Sequence, residues 1–259
     1  MLFVFCLFTL LSALLTYNVL RPIYGHPKWI VPSFICGWLV GELALHAIVF
    51  QLIVIFLLVW GGVVTGFLAA LLLLVHSLSC LVLAYHYFSG YKAKTLMDSI
   101  VIPHRDDDDV SVWGRHAELD TQRFIFPFSS WKDDQVELVK DIVYREVDGF
   151  RLKLDIRHSV VLSPVQSSPV LLQIHGGAWT HGYGSKKEQG VPLMTEMAKR
   201  GWVCVSIDYR LSPKATFPDH IVDCKKALIW VKEHIAEYGG NPDFIVATGG
   251  SAGGHLSAL

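Results

Sequence analysis

Hydrophobic positions fall along this chain in two rhythms. Up to about residue 90 they form long, nearly unbroken runs. Residues 1–20 carry no charged side chain, and from Ser33 to Phe88 the only one is Glu42. A helix that crosses a bilayer needs about 20 apolar residues. The second run is too long for one span, and Gly61-Gly62 near its middle suits a tight turn between two. The pattern predicts helices at about 1–20, 38–60 and 62–88, each able to satisfy its own backbone in lipid. The first could alternatively be a signal sequence, although it lacks the basic leader of one.

Beyond residue 140 the rhythm shortens. Residues 142–147 and 151–156 alternate apolar and polar on either side of Asp148-Gly149. Alternation marks a half-buried strand and Asp-Gly a tight hairpin turn, so two antiparallel edge strands are expected. Residues 170–174, 202–207 and 244–248 are apolar runs, as buried parallel strands require. Two helices are expected between them. One lies near 188–200 and stops at Gly201; the other lies near 218–238 and stops at Gly239-Gly240-Asn241-Pro242. The expected organisation is a transmembrane region at 1–90, a linker or cap segment at 91–140 and an α/β unit at 141–259.

The strand candidate at 244–248 runs into Gly249-Gly250-Ser251-Ala252-Gly253-Gly254-His255, and an apolar tail suited to a helix follows. A G-x-S-x-G pattern between a strand and a helix sets a serine on a sharp turn with its hydroxyl clear of the sheet. Gly249 and Gly253 answer a need for space, because side chains beside so tight a turn would clash. Alone, the motif also fits an ordinary glycine-rich turn. A second motif narrows the choice. The run 170–174 ends in His175-Gly176-Gly177-Ala178-Trp179, whose small residues let backbone N–H groups face an oxygen that gains negative charge. A third, Asp208-Tyr209-Arg210-Leu211-Ser212-Pro213, follows the strand at 202–207.

These three motifs, in this order and spacing, resemble the hormone-sensitive-lipase-like branch of the α/β-hydrolase superfamily, and within it the membrane-anchored bacterial esterases and lipases. The resemblance runs from about residue 143 to 259. It implies an α/β fold: the N-terminal half of an α/β-hydrolase sheet preceded by transmembrane helices. It implies a carboxylic ester hydrolase with Ser251 as nucleophile and an acyl-enzyme intermediate. It further implies an oxyanion hole in which the N–H of Ala252 is joined by Gly176, Gly177 or Ala178. Ala178 stands where many members have glycine, and its N–H still donates. His175 is expected to shape the loop rather than act as a base. Asp208 and Arg210 are expected to form a buried ion pair that orients the next loop. Asp219 and His220 are expected to be capping and surface residues.

In that fold the nucleophile, the acid and the base come in this order along the chain. After Ser251 the only titratable side chain is His255, about one helical turn on, where packing is the expected role. His158, His175 and His181 precede the serine. The triad Asp and His are therefore expected to be missing: the chain is a fragment cut just after the serine turn, or a short product unable to complete the triad. Alone it is expected to be inactive, with an open sheet edge. The alternative function is a non-catalytic membrane protein that keeps a partial hydrolase fold as an interaction surface.

Composition adds exclusions. Hydrophobic residues reach 52%, high for a soluble chain, and the net charge of −1 gives no reason to invoke nucleic acid. No G-K-[ST] follows the glycine loops, against a nucleotide P-loop. Cys6, Cys36, Cys80, Cys204 and Cys224 show no metal or disulfide spacing. Asp106-Asp107-Asp108-Asp109 reads as a solvated charge run rather than a metal site. No cofactor or metal is expected. Arg21, Lys28, Lys92 and Lys94 flank the paired spans on one side, so the positive-inside rule favours the cytoplasmic side of a multi-pass membrane protein for the hydrolase part; a lumenal or periplasmic placement is the alternative, since Asp98 and Asp106 to Asp109 dilute the basic signal. Glu42 and His46, four apart, either bond across one helix turn or set Glu42 at the hydrated interface, the favoured reading. His76 and His86 are expected as interfacial or buried polar contacts. Trp113, Phe124, Phe126, Phe128 and Trp131 suit a lid over an acyl pocket, by analogy with related hydrolases. A membrane tether suits a lipophilic small-molecule ester, which concentrates near the bilayer.

Overall fold

The structure is a computed structural model that describes residues 2–62, 64–101, 124–126, 133–161, 167–182 and 184–259. The Asp106–Asp109 run and the aromatic positions Trp113, Phe128 and Trp131 lie outside the described residues. The chain divides into two compact units, Met1–Glu118 and Leu119–Leu259.

The first unit is helical: α1 (Leu2–Leu20), α2 (Pro27–Glu42), α3 (Ala44–Trp60), α4 (Gly66–Ser89) and α5 (Tyr91–Val101). Among the described residues two helical stretches, Leu2–Leu20 and Gly66–Met97, are long and apolar enough to cross a membrane; α2 and α3 together make a third if counted as one span, bent by 84°. The helix read at 38–60 is thus two helices, and the first starts at Pro27. Proline suits the first helical turn, which needs no N–H donor. The close fit of α2 comes from its glycines. A Cβ on Gly37 would stand 3.0 Å from Asn18 Nδ2, and one on Gly41 3.2 Å from His86 Nε2. Asn18 Nδ2 donates to the Ser33 carbonyl at 2.7 Å. His76 is buried, with Nδ1 3.2 Å from Gln51 Oε1 and its ring stacked on Phe5 and Phe8. Glu42 is exposed at the end of α2. α4 begins four residues later than the pattern suggests, after Gly62 turns the chain at φ +71°. Tyr91–Val101, expected as the start of a linker, is helical.

The second unit holds a five-stranded sheet of β1 (Val136–Val147), β2 (Phe150–Ser159), β3 (Ser168–Ile174), β4 (Val203–Ile207) and β5 (Gly240–Gly249), in the order β1-β2-β4-β3-β5. Its helices are α6 (Val191–Lys199), α7 (Asp219–His234), which tightens into a 3-10 turn at Ile235–Tyr238, and α8 (Ala252–Ala258). Asp148 and Gly149 turn the hairpin with φ of 50° and 77°, the positive pair that a type I′ turn needs. Only β1 of this hairpin is an edge strand. β2 also pairs antiparallel with β4, because Leu152, Leu154, Asp155, Ile156 and Arg157 are all buried and its alternation does not separate core from solvent. β3 lies parallel between β4 and β5. One face of the sheet packs Leu154, Ile156, Leu172 and Val205 with Ile221, Cys224, Ala227 and Val231 of α7. The other packs Leu171 and Cys204 with Val191, Met194 and Ala198 of α6. Helices on both faces of a mixed sheet, antiparallel at β1-β2-β4 and parallel at β4-β3-β5, make this an α/β fold.

Register sets the site. Ile174 of β3 pairs with Gly249 of β5, so the loop after β3 and the serine turn after β5 leave the sheet level with each other, one strand apart. In α/β sheets this carboxyl end is where ligands bind.

A buried carboxylate fixes the neighbouring segment. Asp223 of α7 is fully buried and accepts from Arg145 Nη1 at 2.6 Å, Arg210 Nε at 2.7 Å and the Arg210 N–H at 3.1 Å. Arg210 also meets Asp148 and Asp219. The expected Asp208–Arg210 pair does not form. Arg210 reaches out to α7, while the Asp208 carboxylate accepts the Lys186 N–H at 3.2 Å. His220 is buried rather than at the surface, with its ring edge on Tyr209 at 6.2 Å, because the first turn of α7 packs against residues 209–212. Asp223→Ala would leave two arginines facing an empty carboxylate site. It is expected to destabilise the protein by about 3–5 kcal/mol, read as a lower urea midpoint; an unchanged midpoint would contradict this account of the segment.

Candidate active site

Ser251 has φ 53° and ψ −119°, a backbone conformation that costs a non-glycine residue roughly 1–3 kcal/mol and persists only where its surroundings enforce it. Here they do. Gly253 N–H donates to the Gly250 carbonyl at 2.9 Å and His255 N–H to that of Ser251 at 3.0 Å, closing the first turn of α8. A Cβ on Gly249 would lie 2.5 Å from the Gly253 carbonyl oxygen and 2.6 Å from that of Ile174. One on Gly253 would press into the Ile174 oxygen and stand 2.7 Å from that of His175. All of these are backbone atoms, so no rotamer change relieves the contact.

The loop after β3 touches this turn. A Cβ on Gly176 would lie 2.5 Å from the Gly250 carbonyl and 3.3 Å from Ser251 Cβ. Gly177, Ala178 and Trp179 follow at φ 115°, 52° and 58°, three successive left-handed conformations. They are pinned by Thr180 N–H to the Gly177 carbonyl at 2.9 Å and Ser212 N–H to the Trp179 carbonyl at 2.8 Å. Among the described residues the N–H groups of Gly177, Ala178 and Ala252 have no hydrogen-bond acceptor. Gly176 differs. Its N–H donates to Gln189 Oε1 at 2.6 Å, so of the expected oxyanion donors Gly176 is already engaged, and its part is to bring the loop against the serine.

Among the described residues neither His175 nor His255 is bonded to the serine hydroxyl. His175 is buried, with Nδ1 2.7 Å from the Gly176 carbonyl. Its ring stacks on Tyr209 at 4.5 Å, and the Tyr209 hydroxyl donates to the His175 carbonyl at 2.8 Å. Burial lowers its pKa, which keeps the ring neutral at pH 7. The His255 ring stands edge-on to Trp179 at 5.4 Å. Among the described residues Ser251 Oγ has no hydrogen bond to an imidazole. Burial pushes the Cys204 and Cys224 thiols up to about 12, so neither offers a thiolate.

Two residues that bear on the site were not singled out in the sequence. Lys186, in a run that reads as exposed, has a side chain only 1% exposed. Its Nζ is paired with Asp155 and lies 3.1 Å from Asp141. A buried lysine is tolerated only when so paired. Gln189 is the other. No periodicity marks either one; the cluster of glycines at 182, 184 and 190 is the only local hint that the segment packs closely. A cavity of about 380 Å³ lies beside the loop, lined among others by His175, His181, Gly184, Ser185, Asp208 and Tyr209. Ser251 and the three unpaired N–H groups do not line it, so it is not where a carbonyl would meet the serine. Burial raises the Asp208 pKa there, while Lys186 opposes the rise.

Comparison with known proteins places this geometry in context. Residues 159–259 match the BD-FAE family. The chain is 39% identical over 261 residues to the probable carboxylic ester hydrolase LipM of Mycobacterium tuberculosis, covering 96% of this chain and 58% of LipM. Esterase LipQ of the same organism is 56% identical over 106 residues, covering 41% of this chain and 25% of LipQ. Among solved structures, the butyrate-bound esterase Est2 of Thermogutta terrifontis is 37% identical over 48% of this chain and 44% of that one, with a TM-score of 0.43. The chain therefore spans little more than half the length of LipM and less of the others.

Burial lowers the pKa of both His175 and His220 from an ordinary value near 6.5. Below about pH 6.5 the unfolded chain binds protons that the folded one refuses, so stability is full above that pH and falls as the pH drops toward the folded values. The urea midpoint is expected to be lower at about pH 5.5 than at about pH 7.5, and His175→Asn should shrink the difference. A midpoint equal at both pH values would contradict the neutral burial of these rings.

Proposed function

Residues 159–259 belong to the hormone-sensitive-lipase-like branch of the α/β hydrolases, and on that premise we propose that the protein is a membrane-anchored carboxylic ester hydrolase with Ser251 as its nucleophile. The observation that carries this reading is the contact between a strained serine turn and a loop of unpaired N–H groups. Ser251 Oγ adds to the ester carbonyl carbon, and the carbonyl oxygen becomes an oxyanion facing the N–H groups of Ala252, Gly177 and Ala178. Collapse of the tetrahedral species expels the alcohol and leaves the acyl group on Ser251; water then releases the acid. Because these donors are already oriented, they need no rearrangement as the charge develops.

A base must take the serine proton and return it to the departing alcohol. Neither His175 nor His255 is bonded to Ser251 Oγ, and LipM is considerably longer than this chain. We assign the base, and the acid that orients it, to protein outside these 259 residues. The apolar helices of residues 1–90 supply the anchor, residues 91–140 the linker or cap, and residues 141–259 the hydrolase part. The basic flanks of the spans put that part on the cytoplasmic side. A site held at a bilayer favours small lipophilic esters over soluble ones.

The full-length gene product is expected to hydrolyse p-nitrophenyl acyl esters. Ser251→Ala should lower kcat by about four orders of magnitude or more. Gly176→Val, which forces a side chain between the loop and the turn, should lower it about a hundredfold or more, the scale of losing an oxyanion donor. Turnover that survives Ser251→Ala would overturn the assignment. A folded full-length protein with no turnover would favour the non-catalytic alternative.

A further inference from the structure

We propose that Gln189 is a positioning residue for acyl transfer, holding the loop so that the Gly177 and Ala178 N–H groups face the oxyanion. The proposal rests on the reading of Ser251 as the nucleophile. Its basis is the accounting of consecutive peptide units. The unit joining His175 to Gly176 is held at both ends: its carbonyl accepts from the Tyr209 hydroxyl at 2.8 Å and its N–H donates to Gln189 Oε1 at 2.6 Å. The next unit, whose N–H belongs to Gly177, has its carbonyl fixed 2.7 Å from His175 Nδ1. The direction of the Gly177 N–H follows from these bonds, because a peptide plane with its carbonyl fixed has its N–H fixed as well.

The Gln189 amide has little freedom. A Cβ on Gly176 would stand 3.1 Å from Gln189 Oε1 and 2.5 Å from the Gly250 carbonyl, so Gly176 lies close to both Gln189 and the serine turn. Behind the amide, a Cβ on Gly184 would lie 2.7 Å from Gln189 Nε2. The backbone that carries Gln189 is tied on both flanks. Three residues earlier Lys186 is buried against Asp155. One residue later Gly190 takes φ +71° where a Cβ would meet Gln173 Cδ at 2.6 Å, and α6 begins directly after it. Gln189 thus carries the rigidity of the Lys186 anchor and of α6 to Gly176, which lies against the serine turn. A neutral acceptor is suited to the position, since a carboxylate here would oppose charge building on the nearby oxyanion.

Steady-state kinetics and thermal midpoints of the full-length protein test the proposal with two variants. Gln189→Leu removes the acceptor and is expected to lower kcat about tenfold or more while KM changes less than about twofold, because the bond orders groups that act mainly in the transition state. Gln189→Glu keeps an acceptor and is expected to keep the wild-type midpoint and KM. Its deficit in kcat should deepen as the pH rises from about 5 to about 7 and the carboxylate ionises, a dependence that a purely structural role would not produce. Wild-type kcat in Gln189→Leu would overturn the proposal, as would equal losses in the two variants with no added pH dependence in Gln189→Glu. Ser251→Ala, measured alongside, separates the two claims. If it retains turnover, the nucleophile reading has failed. If it is inactive while Gln189→Leu is fully active, only the positioning role has failed.

Discussion

Where β3 and β5 end there is no room for side chains, and the geometry of the site follows from that exclusion. Parallel pairing brings Ile174 level with Gly249, so the two chains leave the sheet side by side. Backbone carbonyls of Ile174, His175 and Gly250 then occupy the places where Cβ atoms of Gly249, Gly253 and Gly176 would sit. Steric exclusion of this kind is stiff, because backbone atoms cannot swing aside as a rotamer can. It holds Ser251 at positive φ and sets Gly176 of the loop after β3 against the serine turn.

Strain of that kind needs rigid surroundings, and two buried charge arrangements help to provide them. Asp223 gathers Arg145 and Arg210 from different parts of the chain, fixing the segment that carries Tyr209. Lys186 is buried against Asp155 on β2, fixing the segment that carries Gln189. Tyr209 and Gln189 then hold the two ends of one peptide unit in the loop. Buried ion pairs are a poor source of net stability, but breaking one is costly. That asymmetry suits them to fixing position: no partially broken arrangement competes with the native one.

Much of this was legible in the sequence where a local rule applies. Asp148-Gly149 announced the hairpin, the apolar runs announced β3, β4 and β5, and Gly201 marked the end of α6. The motifs at Gly176-Gly177-Ala178 and Ser251-Ala252 are spaced as a strand-loop and a strand-helix turn require. What was not legible depends on tertiary partners. Arg210 chose Asp223 over Asp208 because α7 packs beside it. Lys186 and Gln189 lie in a polar run with no period, and nothing local distinguishes a buried lysine from a solvated one. β2 alternates like an edge strand yet is paired on both sides. The bend at Leu43 directly follows Glu42, the one charged residue of that run, but the close approach at Gly37 and Gly41 leaves no trace in the pattern of apolar residues.

The central claim is that the backbone makes one serine hydroxyl uniquely reactive toward acyl-like electrophiles. The most direct measurement is treatment of the full-length protein with a fluorophosphonate, followed by mass spectrometry of its peptides. The account predicts a single covalent adduct on Ser251 that is absent from Ser251→Ala. An adduct on a different residue, or a folded protein that acquires none, would contradict it.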